Sequence, residues 1–330
     1  MASEKIRLNV IRSGSTNPYN NLAAEENLTF NAKNGEVVLF LWQNVRTVVI
    51  GRNQNPWREC NVERMKADNV YLARRMSGGG AVYHDLGNLN FTFIAKEGFY
   101  DIGKQIEVIL LACRLMGIKA ELNGRNDLTV EGRKFSGHAY YSSEGYNYHH
   151  GTIMMDVAPE DMSKYLQVSE SKLKSKGVES VKSRVVNLRE YLPNMSREKM
   201  ISSMQDALIR AFEKEYGGKA HEMEICDTPS KIVEKYSSEE WRLGTRIPFE
   251  KEICHRFDWG EVQVQLAMKG ENISSCKIFS DSLETEAFAI LEDLLTGCKY
   301  DAATIRHIKT SGSVSAISYE VLHLIASSIE

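Results

Sequence analysis

Apolar and polar positions change period several times along the chain, and each change marks an element. Leu22 to Lys33 is amphipathic, with Asn20 and Asn21 placed as N-caps and Asn34-Gly35 as a C-terminal stop, so it predicts a helix. Two β-branched and aromatic runs follow, Val37 to Trp42 and Thr47 to Ile50, and predict strands. Val70 to Arg75, Ala81 to His84 and Leu89 to Ala95 predict paired strands around a glycine turn, Ser77 to Gly80. Ile102 to Met116, closed by Gly117, predicts a second helix. Glu131-Gly132 between Asp127–Val130 and Lys134–Tyr141 has the turn residues of a hairpin, and Tyr148 to Val157 supplies a further strand.

Past Pro159 the period becomes helical, over Glu160 to Leu166, Lys172 to Lys176, and Arg197 to Tyr216 with Ser196 as N-cap and Gly217-Gly218 behind it. Strands followed by segregated helices predict an α+β fold rather than βαβ repetition. Cys226 to Arg246 is polar and weakly patterned, and is expected to hold a boundary between a large unit, 1–245, and a small α+β unit, 246–330. In the small unit, Glu261 to Met268 and Ile273 to Phe279 predict a hairpin, with helices over Leu283 to Leu295 and Ser315 to Ser328.

Composition narrows the function classes. A net charge of -3, from 41 basic and 44 acidic residues, gives no global positive field for a nucleic-acid backbone, so nucleic acid is not an expected partner. The six cysteines are scattered, without a CxxC pair or zinc spacing, and are expected to be reduced thiols of a cytoplasmic protein. The first residues carry no signal or transit pattern, and no run of about 18 apolar residues occurs, so no membrane segment is expected.

The densest chemistry lies in Arg74-Arg75-Met76-Ser77-Gly78-Gly79-Gly80-Ala81-Val82-Tyr83-His84-Asp85. Consecutive glycines let backbone N–H groups approach an anion, and arginine offers a fork for phosphate oxygens, a pairing suited to a nucleotide. No Gly-Lys-Ser/Thr follows and the third glycine of a dinucleotide fingerprint is missing, so the stretch alone is equally compatible with a flexible hairpin turn. Asp127 and Lys134 fall on adjacent strands, which by spacing reads first as a cross-strand ion pair. The chemical alternative gives Asp127 a magnesium ion bridging phosphates and Lys134 a substrate carboxyl. In His149-His150-Gly151-Thr152 the histidines point to opposite faces, so at most one faces a site. Trp42, Trp57, Phe91 and Phe93 are expected in the core or a pocket wall, and Lys172, Lys174, Lys176, Lys182 and Arg184 on a solvated face.

Taken in order, Gly51-Arg52-Asn53-Gln54-Asn55-Pro56-Trp57, the Arg74 to Asp85 stretch, Gly87-Asn88, Gly124-Arg125-Asn126-Asp127-Leu128, Arg133-Lys134-Phe135-Ser136-Gly137, His149-His150-Gly151-Thr152 and Lys182-Ser183-Arg184-Val185-Val186-Asn187-Leu188 resemble the lipoate-protein ligase A family. The resemblance covers nearly the whole chain. It implies a large domain of mixed sheets and surrounding helices like the biotin and lipoate ligases, with a class II synthetase-like fold. It also implies the accessory C-terminal domain of the two-domain ligases, carried by Arg256-Phe257-Asp258-Trp259-Gly260 and Phe279-Ser280-Asp281-Ser282-Leu283. Arg75, Ser77, Gly78, Gly79, Gly80, Ala81, Val82, Tyr83, Asn88 and His150 are the implied ATP or lipoyl-AMP contacts, Lys134 the catalytic residue that also binds lipoate, and Asp127 the magnesium residue. Met76 departs from the family pattern, where another polar residue is common.

The implied reaction uses ATP and magnesium to convert lipoate to lipoyl-AMP and pyrophosphate, then passes the lipoyl group to a lysine. The implied partners are apo lipoyl domains of 2-oxoacid dehydrogenase E2 subunits and the glycine-cleavage H protein, for a monomeric enzyme. An apolar slot must hold the lipoyl tail, with candidate walls in Val45 to Ile50 and Val82. An ATP-independent octanoyl or lipoyl transferase would want a nucleophilic cysteine, and Gly124 to Val157 contains none. A biotin ligase would carry a Gly-Arg-Gly-Arg loop. A binding protein without catalysis would not need Lys134 and Asp127.

Overall fold

The computed structural model describes residues 6–124, 127–167, 185–225, 227–308 and 316–329; Arg125-Asn126, the Lys172 to Lys176 segment, Lys182-Ser183-Arg184 and Cys226 lie outside them. In chain order the elements are β1 (Arg7–Arg12), helix Pro18–Phe30, β2 (Glu36–Trp42), β3 (Thr47–Ile50), helices Pro56–Glu59 and Val62–Ala67, β4 (Tyr71–Arg74), β5 (Val82–His84) and β6 (Asn88–Lys96). Helix Ile102–Leu115, β7 (Glu121–Asn123), β8 (Asp127–Val130), β9 (Arg133–Ser143), β10 (Tyr146–Met154), helices Pro159–Tyr165 and Arg197–Tyr216, and β11 (Ala220–Met223) come next. Helices Ser230–Ser237 and Glu239–Leu243, β12 (Lys251–Phe257), β13 (Gly260–Lys269), β14 (Asn272–Ser280) and helices Ala287–Leu295, Ala302–Arg306 and Ala316–Ser327 complete the chain.

The main sheet is eight-stranded, in the order β11-β1-β2-β6-β10-β9-β8-β7. β2 reads as a continuous apolar run because both faces of this sheet are covered. Val37, Leu39 and Leu41 pack with Phe91 and Phe93 against helices Ile102–Leu115 and Arg197–Tyr216. Val38, Phe40 and Trp42 face the other way, toward Leu22 and Ala23 of helix Pro18–Phe30 and toward Val49 and Ala73 of a second sheet, β4-β3-β5. The outer side of that second sheet, Val48, Ile50, Leu72 and Tyr83, packs against Met65 and Tyr165. A third sheet, β12-β13-β14, forms its own core with Phe288, Leu291, Val321 and Ile325. The class is α+β, as the pattern predicts.

Several boundaries move for identifiable reasons. The first helix begins earlier than Leu22, because the Asn17 side chain accepts from the N–H groups of Tyr19 and Asn20 and Pro18 fits the first turn. β4 and β5 are not paired with each other: β3 lies between them, parallel to β4 and antiparallel to β5. Glu131 and Gly132 both have positive φ, 54° and 74°, as a two-residue turn of the expected β8–β9 hairpin requires. The stretch read as weakly patterned holds two short helices anchored by aromatics. The Tyr236 hydroxyl donates to Glu26 at 2.7 Å, and Trp241 Nε1 donates to the Arg74 carbonyl at 2.8 Å. β11 and β12 were hidden by their polar sequences, since one is a mostly exposed edge strand and the other faces solvent along much of its length.

The small unit sits on two loops of the large one. Ser280 N–H donates to the Asn53 carbonyl at 2.9 Å, Asn55 Nδ2 to Gln263 Oε1 at 2.9 Å, and Gly79 N–H to the Ser282 carbonyl at 2.9 Å. Among the described residues, no helix is long and apolar enough to cross a membrane.

Candidate active site

A cavity of about 180 Å³ opens where the Trp42 face of the main sheet meets the inner face of β4-β3-β5. Register sets its floor: Trp42 on β2 pairs with Asn90 on β6, which pairs with Thr152 on β10, and all three line the cavity. Val49 and Val82 come from the second sheet, Leu22 from the first helix, and Gly79, Gly80 and Ala81 from the glycine loop. Val49 and Val82 thus fall where the expected slot walls were sought.

Lys134 stands on the same cavity, and its Nζ lies 2.7 Å from Asp127 Oδ1 across the β8–β9 ladder. Both side chains are about one-third exposed, so the ion pair is solvated and exchangeable. The lysine lies over Gly137, where an added Cβ would meet Nζ at 2.9 Å. Gly151 permits the floor beneath, since a Cβ there would overlap the Phe91 ring. Gly137 thus leaves room for the Lys134 side chain, while Gly151 makes room for Phe91 on the opposite face of the sheet.

The glycine loop divides its work. Gly79 has φ 92° and lines the cavity with Gly80. Gly78 instead faces the small unit, where a Cβ would overlap the Ser282 carbonyl oxygen. Arg75 is buried, and burial lowers its pKa to about 10. Its guanidinium donates to the carbonyls of Val49 at 3.2 Å, Gly78 at 2.6 Å and Gly80 at 2.9 Å, so in this conformation it clamps the loop while lining the cavity. Arg74 is wholly structural, donating to the carbonyls of Gly51, Arg52, Gln54, Trp241 and Arg242. Strand alternation turns the Tyr83 side chain away from the cavity, to stack on Tyr165 with its hydroxyl 3.2 Å from Asp161. Asn88 lies behind the wall, donating to Asn90 Oδ1 at 2.8 Å.

His150 lines the cavity, held from both sides: its Nδ1 is 2.9 Å from Glu25 Oε1 and its Nε2 is 2.8 Å from Ser77 Oγ. Glu25 also accepts from Thr92 Oγ1 at 2.7 Å, and Thr92 accepts from Trp42 Nε1 at 3.0 Å. Ser77 Oγ in turn accepts from Arg75 Nε at 3.1 Å, so one hydrogen-bonded chain runs behind the wall from Trp42 to Arg75. His149 points to the opposite face, as alternation requires, packed at a tilt among the rings of Phe93, His138 and Tyr140, with its Nε2 2.9 Å from His138 Nδ1. Among the described residues no group of three or more His, Cys, Asp or Glu could hold a metal ion. Among the described residues no cysteine lines the cavity: Cys60 and Cys113 are buried, and burial raises both thiols, Cys113 to about 12.

Leu22, Glu25, Asn90 and Ala139 have no place in the sequence motifs, and His84 and Thr152 stand within motifs without an individual role. Asn90 had a signal, being polar within the apolar run Leu89 to Ala95, and His84 shares a face with Val82.

The lipoyl protein ligase A/B catalytic domain model matches residues 17–209, and that of the bacterial lipoate protein ligase C-terminus matches 247–320. The lipoate-protein ligase A of Psychrobacter cryohalolentis is 39% identical over 314 residues, which is 91% of each chain. LipL1 of P. falciparum, solved in complex with lipoate, superposes with a TM-score of 0.83 at 29% identity, over 97% of this chain and 99% of that one. A lipoate-protein ligase A solved with bound ATP gives a TM-score of 0.61 at 27% identity, over 73% of this chain and 99% of that one. With the cavity, its lysine and its glycine loop on a backbone shared with these enzymes, the chain is a ligase and belongs to the lipoate-protein ligase A family.

Proposed function

We propose that this enzyme activates lipoate with ATP and transfers the lipoyl group to a lysine of an acceptor protein in two half-reactions. The lipoate carboxylate attacks the α-phosphorus of ATP, forming the acyl–phosphate anhydride as the α–β bond breaks and pyrophosphate leaves. The neutral ε-amine of the acceptor lysine then attacks the acyl carbon, AMP leaves, and the amine proton passes to solvent. The observation that carries this reading is Lys134, an exchangeable cation beside a mostly apolar cavity bordered by Gly79 and Gly80. The lipoate and the ATP bound to the two structural relatives supply the substrates.

In this reading Lys134 leaves Asp127 to meet the carboxyl and α-phosphate oxygens, where a fixed charge stabilises what develops in the transition state. Gly79 to Val82 border the adenylate, Arg75 holds that loop in shape, and His150 fixes the wall against Glu25. Asp127 alone offers magnesium one carboxylate, which fits an ion that takes its other ligands from phosphates and water. That ion would neutralise phosphate charge. Residues 1–245 are assigned adenylation and transfer, and 246–330 the accessory role. Apo lipoyl domains of E2 subunits and the H protein are the proposed acceptors, met by a monomer in the cytoplasm.

That no cysteine lines the cavity among the described residues disfavours a thioester transferase. Lipoate-dependent exchange of pyrophosphate into ATP, with magnesium and without acceptor, tests the first half-reaction. Exchange supports it; no exchange by folded protein that still moves acyl groups between carriers would replace it with ATP-independent transfer.

A further inference from the structure

Two buried N–H donors on the cavity wall have no partner among the described residues, and their neighbours fix what they are. Asn21 Nδ2 donates to the carbonyls of Ser15 at 3.1 Å and Gln43 at 2.8 Å, which settles the orientation of that amide. It also donates to Asn44 Oδ1 at 2.9 Å, so Asn44 turns its Nδ2 toward His84 Nδ1, 3.2 Å away. His84 Nδ1 is then an acceptor, and the ring proton sits on Nε2. Burial, with Arg75 and His150 nearby, lowers the His84 pKa to about 3, so the ring is neutral. Asn90 Oδ1 accepts from Asn88 Nδ2 at 2.8 Å, which leaves the Asn90 Nδ2 as a donor. His84 Nε2 and Asn90 Nδ2 are both buried without a partner, although buried donors are ordinarily satisfied.

Both donors flank Trp42. The His84 ring lies 6.0 Å from the indole, and Asn90 is the cross-strand partner of Trp42. The surrounding wall is apolar, through Leu22, Val49 and Val82. Asn90 on β6 is level with Gly137 on β9, two strands away in the sheet order, and the Lys134 ammonium lies over Gly137, so at normal strand spacing the two are roughly 10 Å apart. An eight-carbon acyl chain has seven bonds of about 1.5 Å each, and in zigzag spans roughly 9 Å. A carboxyl held at Lys134 therefore places the far end of such a chain beside Trp42, His84 and Asn90.

We infer that the N–H groups of His84 and Asn90 recognise a lone-pair acceptor at the distal end of the acyl chain, the ring sulfurs of lipoate, and select that acid over an unsubstituted eight-carbon acid. This rests on the ligase reading and adds a specificity device to it. A plain alkyl end leaves both donors buried and unpaired, whereas ring sulfur accepts from them, weakly but without competing donors of its own. Trp42 supplies contact area for either end and cannot make the distinction.

The test is the ratio of dissociation constants for octanoate and lipoate in wild type, His84→Phe and Asn90→Leu, with circular dichroism and ATP affinity verifying each fold. The wild type should prefer lipoate, and each variant should lower that preference about tenfold, as expected when a weak but buried hydrogen bond is lost. His84→Gln, which restores a donor, should recover most of it even if the other variants fold poorly. An unchanged ratio in folded variants, or equal weakening of both acids, overturns the inference and leaves the ligase reading intact. Failure of the wild type to bind lipoate would overturn both.

Discussion

The role proposed for Lys134 depends on small neighbours. Its Nζ is tied to Asp127 by a solvated pair, which costs little to break, and it rests over Gly137 with no side chain in its path. Lys134→Ala removes the charge while leaving the β8–β9 ladder intact, because that ladder is built from backbone hydrogen bonds. Lipoate-dependent pyrophosphate exchange should fall by about 10²–10³-fold, the usual range for removing one electrostatic stabiliser, with the circular dichroism spectrum unchanged. Near-normal exchange would remove Lys134 from the chemistry. Arg75 carries the opposite lesson: its motif suggests a phosphate fork, yet its donors hold the carbonyls of Gly78 and Gly80 in its own loop and of Val49 on β3.

At the scale of elements, strands that pattern clearly were legible and their partners were not. The β8–β9 hairpin and helix Arg197–Tyr216 follow from Glu131-Gly132, Ser196 and Gly217, all local signals. That β3 inserts between β4 and β5 depends on contacts distant in sequence, and no local pattern encodes it. His150 was recognisable by its motif, but its clamp needs Glu25, which lies 125 residues away on a helix. The paired strands β9 and β10 also bury His138 and His149, and β5 buries His84; desolvation lowers all three pKa values, His84 and His138 to about 3. These rings are neutral in the folded state and titrate near 6.5 once unfolded, so the unfolded chain binds more protons below that pH. Their stabilising contribution is complete above about pH 6.5 and is lost progressively as pH falls toward 3. His84 and His138 should each cost about 2 kcal/mol by pH 5, at about 1.4 kcal/mol per pH unit, and His149 acts in the same direction. Urea midpoints measured from pH 7.5 to 5 should fall accordingly, and His149→Asn should give a shallower slope. A flat midpoint over that range would mean that the histidines are not buried as described.

At the scale of the whole molecule, the two units meet through the glycine loop that borders the cavity and through the Asn53 loop beside it. Gly79 uses its N–H on Ser282 of the small unit, and Asn53 both accepts from Ser280 N–H and donates to the Thr285 carbonyl at 2.9 Å. Each such bond contributes only about 1 kcal/mol, so the seat is a sum of modest terms that close fit keeps together. Gly78 is where the fit is tightest, since any Cβ overlaps the Ser282 carbonyl oxygen and crowds Leu283. Gly78→Val should therefore unseat the small unit without unfolding either core, because the clusters around Phe93 and Phe288 do not include this contact. Small-angle scattering should report an expanded particle, and protease should cut the Gly244 to Glu250 connection about tenfold faster once local opening is favoured. Gly80→Val is the matched control: the same chemical change two residues on, at a position where a Cβ meets nothing within 4 Å. If both variants expand the particle equally, loop stiffness rather than the Gly78 contact governs the seat. If only Gly78→Val does, one glycine of the loop is required for how the units meet, separately from any requirement of the cavity.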